Sequence, residues 1–126
     1  MPTSPLIAAA DAPTFALPGI QFTGLAAPSR GAVESAVWLV DISPGTPGAP
    51  HQLTREEVIV ALEGRARATL GGIEYEIGAG DALVVSPATD FELANPYDAN
   101  FRAVAVLPVG GEGVVAGETF IPPWAR

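Results

Sequence analysis

Short apolar runs rich in β-branched residues, each cut off by glycine or proline, constrain this chain more than any other feature. ESAVWLV, EEVIVALEG, GDALVVSP and FRAVAVLP all follow this form, and fourteen glycines and thirteen prolines supply the punctuation. Side chains branched at Cβ lose rotamer freedom in a helix but pack well on a pleated surface, so the pattern predicts an all-β sandwich or barrel. Strands are expected near residues 20–25, 33–42, 57–63, 65–70, 73–77, 82–86, 91–94, 100–107 and 114–121, with Gly71-Gly72 as a hairpin turn. One segment invites a second reading, because Thr54 and Glu57 match a helix capping box and Gly64 is placed to stop a short helix. The run Val58-Ile59-Val60 and the second apolar run that follows Gly64 favour strand, turn, strand.

A chain of 126 residues fits one domain with its own core. Residues 1–13, rich in alanine and proline, are expected to form an arm, and residues 14–126 the domain, with Thr119 to Trp124 packed over the core or across a dimer interface. Cysteine is absent, which removes disulfides, thiolate metal sites and thiol nucleophiles. Lysine is absent as well, so Schiff-base chemistry has no residue to use. A net charge of −8 opposes binding to a nucleic-acid backbone. No basic leader precedes an apolar run and no stretch approaches a membrane span, so the protein is expected to be cytoplasmic, without nucleic-acid or membrane partners.

The chemistry concentrates between Gly45 and Gly64, where the only histidine, His51, stands six residues before Glu57. Gly45, His51, Leu53, Glu57 and Gly64 have the spacing of the first motif of the cupin superfamily, with leucine where that motif has its second histidine. Gly80, Ser86, Ala88, Phe91 and Asn95 fall on the second motif, in which only the two end positions keep their identity. The chain therefore resembles a small single-domain cupin. That resemblance implies a jelly-roll β-barrel, commonly dimeric, with a pocket opening at one end between two sheets.

In metal-bearing cupins, three histidines and the glutamate of these motifs hold one divalent metal. Here Leu53 and Phe91 occupy two of the four positions and cannot coordinate, and the nearest substitutes, Glu56 and Asp90, are each adjacent to an inward position and so face away. No tightly held metal is expected; at most His51 and Glu57 would hold a divalent ion weakly, with water completing its shell. An imidazole and a carboxylate in a greasy pocket can instead work as a proton-transferring pair titrating near neutral pH, with Glu57 orienting His51. The plainer reading is a structural pair.

Leu53, Phe91, Trp38 and Phe101 are the candidates for lining the pocket, and Arg55 is a surface cation near its mouth. These readings favour a homodimeric small-molecule-binding protein with a mostly apolar pocket. Its rivals are a metal-independent lyase, isomerase or cyclase using His51 and Glu57, and a metal-dependent, dioxygenase-like protein with an incomplete ligand set.

Overall fold

The computed structural model describes residues 4–126; residues 1–3, the start of the expected arm, lie outside the described residues. Beyond them, Ala9–Asp11 form a single 3-10 turn with no buried side chain. Twelve strands follow in the described chain: β1 (Thr14–Leu17), β2 (Ile20–Ala26), β3 (Ser35–Ile42), β4 (Gln52–Leu53), β5 (Glu57–Glu63), β6 (Arg65–Leu70), β7 (Ile73–Gly78), β8 (Ala82–Val85), β9 (Phe91–Ala94), β10 (Phe101–Pro108), β11 (Gly113–Val115) and β12 (Glu118–Phe120). The chain is all-β, as the β-branched runs require. No described helix is long and apolar enough to cross a membrane.

The strands pair into three sheets, of order β1-β2-β3-β10-β5-β8, β7-β6-β9 and β12-β11-β4, and none of the three closes on itself. In the six-stranded sheet every neighbouring pair is antiparallel. Alternation sorts the side chains cleanly. Ala36, Trp38, Val40 and Ile42 of β3 and Phe101, Ala103, Ala105 and Leu107 of β10 are buried, while the residues between them are not. They join Leu53, Ile59, Ile77, Val85 and Phe91 in one core. Burying each large side chain of this set contributes about 1.5–3 kcal/mol.

The outward face of the same sheet is also apolar. Val37 and Leu39 of β3 lie opposite Val106 and Val104 of β10, which lie opposite Val58 and Val60 of β5. Val84, 54% exposed, extends the row at the edge strand β8. The polar positions gather at one end, where Arg102 Nε approaches Asp41 Oδ1 at 3.5 Å.

The segment with two readings resolves as strand, turn, strand. Val58 and Val60 pair with β8 on one side and β10 on the other, which a helix could not do. Thr54 caps no helix: its hydroxyl accepts the Glu112 N–H at 2.9 Å, and its own N–H donates to the Glu112 carbonyl at 2.9 Å, tying the end of β4 to the loop before β11. Two expectations are corrected. The single strand expected over 114–121 is a hairpin, β11 and β12, because Ala116 and Gly117 both take left-handed backbone angles, φ 52° and 79°. Strands β1 and β4 were not foreseen; β4 is only two residues long.

The motif positions have structural duties. Asn95 is fully buried, donating to the carbonyls of Ile42 and Ala99 at 2.9 Å each and accepting from Tyr97 N–H at 3.1 Å, so it binds the end of β9 to β3. Gly64, at φ 75°, joins β5 to β6, and a Cβ there would run into the Asn100 carbonyl. Ala88, where the second motif has glycine, is held at φ 60° while its N–H donates to the Leu53 carbonyl at 2.9 Å. A left-handed alanine costs roughly 1–2 kcal/mol, part of which glycine would return through its greater unfolded-state freedom. Gly64→Ala is therefore expected to lower stability by about 2 kcal/mol or more, and Ala88→Gly to raise it by up to about 1 kcal/mol. Urea unfolding of both variants checks this, and shifts of the same sign would refute it.

Candidate functional site

The inward faces of the sheets do not fill the interior completely. A cavity of about 260 Å³ remains between them. Trp38, Val40 and Ile42 of β3 wall it on one side, with Ile20 and Phe22 of β2 beyond them. Glu57 and Ile59 of β5 and Ala105 of β10 continue that wall. Phe91 and Leu93 of β9, Leu53 of β4 and Val115 of β11 also line the cavity. The chain after β12 completes the enclosure with Pro122 and Trp124. The Trp124 indole stacks on the Phe22 ring, with centroids 3.6 Å apart and planes within 5°, and Trp38 and Phe15 tilt against it at 6.4 Å. Ser29 N–H and hydroxyl both donate to the Arg126 carbonyl, which fixes the tail beyond it.

His51 and Glu57 are the only titratable side chains among the described residues of this wall. The backbone of His51 forms a two-way bridge to Phe91, with N–H to carbonyl distances of 2.9 and 2.8 Å, and the two rings tilt together at 5.1 Å. The His51 side chain is anchored by Nδ1, 2.9 Å from the Ala49 carbonyl. A carbonyl only accepts, so Nδ1 carries the hydrogen, and in the neutral ring Nε2 is left with the free lone pair. His51 also borders a second, surface depression shared with Gln52 and Asp90.

Glu57 is set inward by the register of β5, opposite Val85, with Ile59 next on the same face. It is 5% exposed. Burial pushes its carboxyl group from an ordinary 4.5 up to about 8, with no charge or hydrogen bond opposing the shift. At neutral pH Glu57 is thus a neutral acid, able to donate. This corrects the expected dyad: no hydrogen bond joins His51 to Glu57 among the described residues, and the imidazole is oriented by Ala49 instead.

The structure brings His51, Leu53, Glu57, Trp38 and Phe91 to one cavity. It does not bring Phe101, which is fully buried beside Ile42 in the register and is not itself among the residues that line the cavity. Asp90 accepts from Gln52 Nε2 at 2.8 Å on the outer surface, and Arg55 and Glu56 are exposed. Among the wall residues that sequence reasoning missed are Ile20, Phe22, Val40, Leu93 and the tail pair Pro122 and Trp124. Only the aromatic ending of the chain signalled any of them.

The donor set does not fit the resident metal of the metal-bearing pattern. His51 and Glu57 reach the cavity, but Leu53 and Phe91 fill the other two positions with carbon, and no group of three or more His, Cys, Asp or Glu side chains is gathered among the described residues.

A family model described as a cupin domain matches residues 38–107. Among solved structures, the chain is similar to the polyketide cyclase RemF from Streptomyces resistomycificus, at 19% identity and TM-score 0.75 over 96% of this chain and 83% of that one. It is also similar to KdgF from Halomonas sp., at 20% identity and TM-score 0.71 over 84% and 94%. A third is an RmlC-like cupin from Shewanella frigidimarina, at 16% identity and TM-score 0.72 over 84% and 91%. At such identities the likeness is one of fold. A search of curated protein sequences finds no match.

The buried acid has a measurable signature. Unfolded, Glu57 ionises near its ordinary 4.5; folded, it holds its proton to about 8. Between these values the unfolded chain binds fewer protons, so this group makes stability fall as pH rises and level off above the folded value. Glu57→Gln is expected to remove about 2–5 kcal/mol of that decline between pH 5 and 8, read from denaturant unfolding at both pH values. An unchanged slope in the variant would contradict the burial argument.

Proposed function

Because the chain belongs to the cupin family, we propose that its interior cavity is a ligand pocket that takes a small, mostly apolar molecule without a tightly held metal. One observation carries this reading: a cavity of about 260 Å³ is walled by carbon, with His51 and Glu57 as its two polar handles. Small-molecule sites combine such an apolar lining with a few placed polar groups. In this reading the three sheets wrap the cavity as the jelly-roll β-barrel of the family. Two copies pair through the outward valines of the six-stranded sheet, since chains that each carry a charge of −8 meet best where neither presents it.

The state of Glu57 favours a second reading, proton-transfer catalysis. A neutral carboxylic acid and an imidazole whose Nε2 is not engaged by the Ala49 carbonyl line one cavity, so a proton donor and a candidate acceptor are placed together. His51 Nε2 would take a proton from substrate carbon or oxygen while Glu57 gives one to a carbonyl oxygen. His51 then gives its proton to another atom of the substrate and Glu57 takes one back, which regenerates the site and suits isomerisation, elimination or cyclisation. The likeness to a polyketide cyclase is compatible with this class of reaction.

Ala105 is 2% exposed and lines the cavity, so enlarging it takes space from a ligand. Ala105→Leu is expected to weaken binding of any small molecule captured by the protein at least about tenfold, measured by native mass spectrometry. Equal occupancy of the variant would move the ligand elsewhere. For a turned-over substrate, His51→Ala and Glu57→Gln should each lower kcat by about 100-fold or more, and the wild-type rate should fall above the Glu57 value of about 8. Variants that keep their rate would leave binding as the whole function.

A further inference from the structure

We infer that the pocket selects an uncharged, flat ring compound of about two fused rings carrying a hydroxyl or carbonyl group, and rejects anions. The inference rests on the pocket reading and narrows it to a ligand class. It follows from what the wall contains and where the chain has put its cations.

All cationic side chains that cannot lose their charge are arginines in this chain, and none lines the cavity. Arg55, Arg65 and Arg67 are exposed, and Arg65 lies over the Tyr97 ring at 4.1 Å. Arg102 faces outward to Asp41, and Arg30 donates to the Gly24 carbonyl. The backbone N–H groups of His51 and Phe91 are committed to each other's carbonyls. A carboxylate or phosphate entering this space would find no arginine and no free N–H of that bridge, and burying an unpaired anion in carbon is prohibitive. Next to Glu57 an anion would also face a group that can only become negative.

Sugars fail on a different count. A polyhydroxylated ring needs a partner for each hydroxyl, whereas the wall offers only His51, Glu57 and the unpartnered indole N–H of Trp124. What the wall does offer is aromatic carbon, from Phe22, Trp38, Phe91, Phe120 and Trp124. Flat apolar rings are the natural complement of such a lining. Size agrees, since an apolar cavity of about 150 Å³ accepts benzene, so about 260 Å³ suits a two-ring system. The single hydroxyl or carbonyl answers the handles, accepting from the Glu57 acid or donating to His51 Nε2. An ammonium ligand is the remaining competitor, through cation–π contacts and an ionised Glu57, but it would require a buried ion pair in place of a neutral acid.

Three naphthalenes of matched shape separate these classes: 2-naphthol, 2-naphthoate and 2-naphthyltrimethylammonium. Calorimetric titration at pH 6.5 is expected to show 2-naphthol binding at least about tenfold more tightly than either ion. Naphthoate binding as tightly as naphthol overturns the exclusion of anions, and a preference for the ammonium overturns the uncharged class; either leaves the pocket standing. If none of the three binds, the pocket reading itself falls, and this inference with it.

Discussion

A carboxyl group buried among carbon atoms with no partner is tolerable only as a neutral acid, and that constraint organises the interior. Glu57 faces inward because the register of β5 against β8 and β10 leaves it no alternative: turning it out would expose Ile59 and Ala61 with it. A neighbouring cation would have relieved the burial and made an ion pair of the pocket. Instead every arginine stands elsewhere and the only other titratable side chain of the wall, His51, is tethered to the Ala49 carbonyl. The acid therefore remains isolated and uncharged at neutral pH. Leu53 and Phe91 belong to the same arrangement, because polar ligands at their positions would have pulled Glu57 towards its anionic form.

The pocket is also a product of small side chains. Alanines recur on the inward faces of β3, β5, β6 and β10, at positions 36, 61, 66, 68, 103 and 105, all nearly inaccessible to solvent. Phe101 and Leu107 fill the core at the two ends of β10, while Ala105 between them borders the cavity. Solid packing and an open cavity thus coexist along single strands, without a change in the alternation that builds either.

Much of this was legible in the residues. Alternation and punctuation located most strands, and the spacing of His51, Leu53, Glu57 and Phe91 brought four side chains to one cavity although they come from three strands and a loop. Periodicity tells which face of a strand a side chain takes but not how far along the interior it lies, which is why Phe101 points inward and still misses the cavity. Proximity in a motif likewise says nothing of hydrogen bonding: His51 and Glu57 share the wall but not a bond, since a local backbone carbonyl captured the imidazole first. The left-handed Ala116 was hidden because alanine carries no turn signal, so a hairpin read as one strand. Contributions from β2 and the tail depend on contacts between distant parts of the chain, which no local pattern encodes.

The tail that stacks Trp124 on Phe22 has a consequence for the order in which the molecule assembles. Its anchor joins Ser29 to Arg126, partners 97 positions apart, so the last wall of the cavity cannot be placed until nearly all the described strands have left the ribosome and paired. Sheets come first; the closed cavity comes last. A nascent chain would pass through a stage with its aromatic interior open to solvent, and a compound that fits that interior would favour its completion as a folding partner as much as a cargo.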